Sequence, residues 1–369
     1  MKKMIFTAAM MLASAAAMAQ SGTFQIKGNV EGLPDSLVAM IGRKTENIEV
    51  KKKKFVYSKN FDKPQWVYLC DLKVIKSGVF QANRVFAIPG ETIEMNGNFT
   101  EGVDIKGGKF YQEQDLMNEY KGQAHKDIKA LWKWYSDNVN DSNRDSIEKV
   151  VDERMEPLQK KYAADLLAYA KQHSDQECIA LLIDELDDVK DKETLISLMA
   201  DNVKNGRMKA FYEPIVERAK KQAEMEEKAK KVQASGVEAP DFTLNDINGK
   251  PFSLSSLRGK YVVIDFWGSW CIWCIKGMPK MKEYYEKYKG KFEILGVDCN
   301  DTEAKWKAAV EKHQLPWIHV YNPKGSNILE KYAIQGFPTK IVVGPDGKIV
   351  KTIVGEDPAF YTLLDEVLK

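Results

Sequence analysis

The run Val263-Ile264-Asp265-Phe266-Trp267-Gly268-Ser269-Trp270-Cys271-Ile272-Trp273-Cys274 carries an apolar strand pattern straight into a Cys-x-x-Cys and on into an amphipathic helix. Each of those three parts constrains the chemistry. The spacing places both sulfurs on the first helical turn, close enough to bridge. The helix N-terminus adds partial positive charge and unpaired N–H groups, which stabilise a thiolate. A thiolate is the species that attacks disulfides. The competing use of such a pair is half of a zinc site, which needs a second Cys/His pair. The remaining cysteines, Cys70, Cys178 and Cys299, and the four histidines offer no such spacing. Redox chemistry rather than metal binding is the expectation.

A chain of 369 residues has room for two or three domains. With 44% apolar and 29% charged residues it has the composition of an ordinary soluble globular protein, and a net charge of +2 argues against nucleic acid as a partner. The dense basic run Lys51–Lys54 reads as a solvated hairpin edge. At the start, Lys2 and Lys3 precede an apolar stretch from Met4 to Ala17, and Ala17-Met18-Ala19 precedes Gln20. That is the layout of a secretory signal peptide over residues 1–19. The stretch is short and alanine-rich for a spanning helix, which needs about 20 apolar residues. No cysteine occurs before Cys70, which speaks against lipidation at the cleavage site. An exported, periplasmic protein is expected, in a compartment where disulfides form. Cys70 falls in the strand-like run Val67-Tyr68-Leu69-Cys70 and is expected to be a buried free thiol.

Residues 22–105 read as β structure, with runs such as Thr23–Ile26, Phe55–Tyr57, Trp66–Leu69 and Val85–Ile88 separated by Pro34-Asp35, Ser77-Gly78, Pro89-Gly90 and Asn96-Gly97. A small antiparallel sandwich or barrel fits that spacing. Residues 106–235 turn helical and charged. Leu158, Tyr162, Leu166 and Tyr169 form a stripe, and Pro157 is expected to interrupt that helix near its start. Trp132, Trp134 and Tyr135 read as helix core. The pairs Glu224–Lys228, Glu226–Lys230 and Glu227–Lys231 mark a solvated helix, and Ala234-Ser235-Gly236 reads as a hinge. Over residues 236–369 strands and helices alternate. Strands are expected at Tyr261–Phe266, Phe292–Asp298, Ile318–Val320, Thr339–Val343 and Ile349–Val354, and helices after Cys271, over Thr302–His313 and over Asp357–Leu368. Gly344-Pro345-Asp346-Gly347 makes a hairpin of the last two strands. The fold class is therefore α/β, a mixed sheet covered by helices, preceded by an antiparallel β domain and a helical region.

The residues also resemble a known family. Val263 to Cys274 is similar to the active-site strand and helix of thioredoxin-fold proteins. Ala239-Pro240-Asp241-Phe242-Thr243-Leu244 with Leu257-Arg258-Gly259-Lys260 resembles the entry segment of the peroxiredoxin (AhpC/TSA) and TlpA/ResA branch. Gly336-Phe337-Pro338-Thr339 resembles the loop that carries the cis-proline of that fold. The three motifs occur in the family's order over about the last 130 residues. More distantly, Gly22 to Ile105 resembles a β domain of unknown function that precedes TlpA-like domains in exported proteins. The resemblance implies a thioredoxin fold and roles for individual residues. Cys271 would be the exposed nucleophile and Cys274 the shielded resolving thiol. Asp265, inside the apolar strand, would be a buried acid that takes the Cys274 proton. Trp270, Phe337 and Pro338 would shape the surface where a client strand binds, with a cis bond before Pro338 leaving a backbone edge open. The branch commonly has a Glu three residues after the second cysteine; Gly277 stands there, so a dedicated role in reducing apocytochrome c does not carry over.

The leading reading is a periplasmic thiol–disulfide oxidoreductase that reduces disulfides of exported client proteins. No phosphate loop or dinucleotide fingerprint is present, so the redox-active Cys271–Cys274 pair would need no other cofactor and no metal. Its electrons would come by thiol exchange from a membrane-embedded donor. A thiol-dependent peroxidase is the rival enzyme, but Phe266 to Cys274 lacks the Pro-x-x-x-Thr/Ser-x-x-Cys arrangement that holds a peroxide. The third reading is a non-catalytic partner-binding module on the same scaffold. The helical segment could serve a homodimer or shield the site, and no residue pattern decides between the two.

Overall fold

The computed structural model describes residues 21–369 apart from 79, 80, 121 and 141, so residues 1–19, where a signal peptide is expected, lie outside the described residues. The described chain divides into two compact units, with the boundary between Lys220 and Lys221. Among the described residues no helix is long and apolar enough to cross a membrane.

The first unit opens with β1 (Gly22–Glu31), β2 (Leu37–Ile41), β3 (Lys44–Asn47), β4 (Lys54–Phe61), β5 (Gln65–Asp71), the short α1 (Leu72–Lys76), β6 (Ala82–Ala87), β7 (Thr92–Asn98) and β8 (Gly102–Lys106). They form two four-stranded sheets, ordered β4-β1-β7-β8 and β3-β2-β5-β6. Pairing is antiparallel apart from β1 with β7. Strict alternation along β1 sends Phe24, Ile26 and Val30 inward, as a period of two requires. Helices follow: α2 (Lys109–Tyr120), α3 (Gly122–Asn138), α4 (Arg144–Gln172), a 3₁₀ turn over Glu177–Asp184, α5 (Val189–Leu198), α6 (Asp201–Lys204) and α7 (Lys209–Val232), which runs through the unit boundary. Sheets and helices share one apolar core, although the sequence alone suggests a break near residue 105. The Tyr111 hydroxyl on α2 donates to the Phe86 carbonyl at 2.9 Å, and Trp66 Nε1 donates to Asp184 at 2.8 Å. Lys192 is buried because its ammonium caps the carbonyls of Ile183 and Leu186.

Two expectations for the helices are corrected. Helix α4 continues through Pro157 instead of being interrupted by it. Pro157 and Glu153, whose carbonyl loses its helical donor, both lie on the exposed face, where that carbonyl is accessible to solvent instead of being buried unpaired. Trp132 is 52% exposed, while its neighbour Leu131 takes the inward position against Val151 and Met155.

The second unit is built on β9 (Thr243–Asp246), β10 (Pro251–Ser253), β11 (Tyr261–Trp267), α8 (Ile272–Lys287), β12 (Phe292–Asp298), α9 (Glu303–Lys312), β13 (Ile318–Tyr321), α10 (Ile328–Lys331), β14 (Thr339–Val343), β15 (Ile349–Val354) and α11 (Ala359–Val367). Its seven strands are ordered β10-β9-β13-β12-β11-β14-β15. Strands β11, β12 and β13 are parallel, and β14 runs antiparallel to β11 and to β15. This is the mixed, helix-covered sheet expected of a thioredoxin fold. The strand β11 is buried on both faces because it is central. Val263 and Trp267 join one core with α8 and α11, while Val262, Ile264 and Phe266 join the core on the other face. The hairpin β9–β10 was not legible as strands in the sequence, because each arm has only three or four residues.

Candidate active site

The site begins where β11 ends. Strand alternation puts Asp265 on the face that carries Val263 and Trp267, the face covered by α8. The chain then turns through Gly268-Ser269-Trp270 into Cys271, the N-cap of α8. A Cβ at Gly268 would lie 2.5 Å from the Trp270 indole nitrogen and 2.8 Å from the Cys299 carbonyl oxygen, so the turn requires glycine. Asp301 pins the loop by accepting from the Ser269 amide at 2.6 Å and from its hydroxyl at 2.7 Å. Trp270 Nε1 donates to the Cys299 carbonyl at 2.9 Å. Both anchors lie just beyond β12, the parallel neighbour of β11.

Cys271 and Cys274 are joined in a disulfide. The Cys274 amide donates to Cys271 Sγ at 3.2 Å, so the cap is the sulfur itself. This is the geometry that favours negative charge on Cys271 when the bond opens. In the disulfide form Cys271 and Cys274 are 5% and 4% exposed, so the expected contrast between an open first cysteine and a shielded second is not present. Cys271 belongs to the apolar cluster that also holds Trp267 and Met278. What surrounds the bond is open: Trp270, Ile272 and Trp273 are each more than half exposed. The Lys276 ammonium lies 4.4 Å from the centre of the Trp273 ring. The Trp270 ring meets Phe337 edge to face at 5.3 Å, and the Phe337–Pro338 peptide is cis. Trp270 and the proline loop are thus brought together.

On the α8 side of β11 the buried Asp265 and Lys340 and the half-buried Glu356 form a set of charges. Asp265 is 5% exposed, and burial pushes its carboxyl up to about 6, with Lys340 pulling it down and Glu356 adding to the rise. Its Oδ1 has no hydrogen-bond partner among the described residues. Lys340 pairs with Asp265 across the β11–β14 ladder and is 1% exposed. Its ammonium donates to Glu356 Oε2 at 2.7 Å, and the Tyr361 hydroxyl donates to Glu356 Oε1 at 2.8 Å. Sequence reasoning missed Lys340 and Glu356. A lysine inside the apolar run Thr339–Val343 was an available signal; Glu356, in a turn after β15, offered none.

The other thiols are poorly suited to exchange. Cys70, Cys178 and Cys299 are buried and unbridged, and burial pushes all three thiols up, Cys178 to about 12. Among the described residues no group of His, Cys, Asp and Glu side chains is arranged to hold a metal ion.

Residues 235–352 match the AhpC/TSA family. Thiol-disulfide oxidoreductase ResA of Bacillus cereus is 42% identical over 122 residues, which are 33% of this chain and 70% of that protein. ResA of Bacillus subtilis is 32% identical over 123 residues, 33% of this chain and 68% of its own. Among solved structures, the thioredoxin domain of a thiol-disulfide oxidoreductase from Bacteroides vulgatus is similar at 36% identity, covering 37% of this chain and 99% of that one, with a TM-score of 0.35.

Proposed function

The chain belongs to the ResA-like thiol–disulfide oxidoreductases of the thioredoxin fold, and on that premise we propose that Cys271 and Cys274 are its redox couple, reducing disulfides of exported proteins in the periplasm. The observation that carries this reading is a disulfide at the N-cap of α8, next to a strand whose inward Asp265 is buried with its Oδ1 unpaired among the described residues.

In the reduced form the Cys271 thiolate attacks a client disulfide. A bond forms between Cys271 and one client sulfur, and the other leaves as a thiolate. Cys274 then loses its proton to the Asp265 carboxylate and attacks Cys271 Sγ. The Cys271–Cys274 bond closes, the second client thiolate leaves, and two electrons have passed from the pair to the client. Asp265 suits the task because a carboxyl raised to about 6 is ionised at neutral pH yet basic enough to accept a thiol proton. The exposed rings of Trp270 and Trp273 with Ile272 offer an apolar platform for a client segment, and the Phe337–Pro338 loop borders it. A membrane-embedded dithiol donor restores the reduced pair.

The deciding measurement is the reduction potential of the pair, by equilibration against dithiothreitol or glutathione with tryptophan fluorescence as readout. A value near or below roughly −230 mV supports a reductant. A value above roughly −160 mV makes the protein an oxidant, and the absence of any reversible intramolecular disulfide removes the redox reading altogether.

A further inference from the structure

We propose that Lys340 and Glu356, held by Tyr361, are positioning residues that control when Asp265 can accept the Cys274 proton. This rests on the reading of Asp265 as proton acceptor given above.

One ammonium, on Lys340, serves two carboxylates. It makes its hydrogen bond to Glu356, while Asp265, its register partner across the sheet, keeps its Oδ1 without a partner among the described residues. Glu356 therefore holds the cation that would otherwise neutralise Asp265. Glu356 is also held by its fit against α8. Its carboxylate fills the space that a Cβ on Gly277 would occupy, and Tyr361, which donates to it, also lies 3.5 Å from the Gly277 carbonyl oxygen. The group is thus fixed against α8 one turn after Cys274. As a stability device such a pair is poor, because burying the Lys340 ammonium and half-burying the Glu356 carboxylate offsets much of their attraction. The groups that act on Asp265 or that it acts on are Lys340 from β14, Glu356 after β15, Tyr361 from α11 and Cys299 after β12, with the disulfide on the α8 side.

The two charges have opposite effects on Asp265, and this gives a test that a merely structural role would not satisfy. Full-length Glu356→Gln, Lys340→Met and Tyr361→Phe are reduced, and the single-turnover rate of reduction of a disulfide-bonded peptide is followed from pH 4.5 to 9. Glu356→Gln is expected to move the midpoint of the acid limb down by about one pH unit, and Lys340→Met to move it up by a similar amount. The rise holds even if the unpaired Glu356 takes up a proton, because Lys340 is the larger influence on Asp265. Tyr361→Phe is expected to follow Glu356→Gln by a smaller step, and it keeps the test open should Lys340→Met not fold. An unmoved midpoint in Glu356→Gln, or a shift of the same sign in both charge variants, overturns the proposal. If the unaltered protein shows no exchange at all, the redox reading fails and this inference falls with it.

Discussion

The carboxylate of Glu356 lies where a side chain on Gly277 would begin: a Cβ there would be 2.2 Å from Glu356 Oε2. Gly277 is inside α8, where alanine is normally better by about 1 kcal/mol. Here Gly277→Ala is expected to lower stability by about 2–4 kcal/mol, because it expels Glu356 and leaves the buried Lys340 unpaired. In a Glu356→Ala background the same change should gain up to about 1 kcal/mol. Urea denaturation of the four proteins measures this. An equal effect in both backgrounds would mean that the contact is not the cause.

Asp265 should cost stability at neutral pH. Its folded-state carboxyl is at about 6 against an ordinary 3.8, so between those values the folded chain keeps a proton that the unfolded chain has released. Stability therefore falls as pH rises through that window, and the penalty is complete above it. Asp265→Asn is expected to raise stability by up to about 3 kcal/mol at pH 8 and to leave it unchanged near pH 3.5, while slowing client reduction. Denaturation midpoints at the two pH values, with the exchange rate, test both halves.

Removing the two sulfurs one at a time should separate their roles. Cys271→Ser is expected to abolish reduction of a client disulfide. Cys274→Ser should still attack, but should then accumulate as a mixed disulfide with the client, visible on a non-reducing gel. Accumulation with Cys271→Ser instead would exchange the two assignments.

The apolar rim should matter to large substrates and not to small ones. Trp270→Ala with Trp273→Ala is expected to raise KM for a protein client several-fold, as the loss of two exposed aromatic contacts would. Reduction of the enzyme disulfide by dithiothreitol should be little changed. Equal losses for both substrates would point to a damaged site rather than a binding surface.

Asp301 ties the loop before Cys271 through two bonds from Ser269. Asp301→Ala is expected to cost about 1–3 kcal/mol and to expose the disulfide to faster reduction by a small thiol. Unchanged reduction kinetics alongside reduced stability would confine Asp301 to a structural role.

Much of the second unit could be read in advance because its signals are local. The strand at Tyr261–Trp267 announces itself by an apolar run, and its helix by the cysteine cap and the amphipathic pattern that follows. Thr302 and His313 bound α9 as cap residues, close to the expected Thr302–His313. The buried Asp265 was legible for the same reason: an acid inside an apolar strand has few other places to go. The first unit was read less well. Its strands were found, yet the parallel pairing of β1 with β7, separated by some sixty residues, leaves no local trace. Pro157 and Trp132 were misplaced because each depends on which face of a helix meets the core, and a neighbouring helix decides that.

What the sequence determined by itself was the chemistry: a Cys-x-x-Cys at a strand–helix junction, a buried acid, a proline loop, each written in adjacent residues. What only the tertiary structure decided was the charge around that chemistry. Asp265, Lys340 and Glu356 are separated by 75 and 16 positions, and they meet through the register of β11 on β14 and the gap left by Gly277. Helix caps and strand periods follow from local torsions and burial, which neighbouring residues fix. The field at a buried carboxyl is a sum over whatever packing brings near it, and that sum exists only once the sheet has closed.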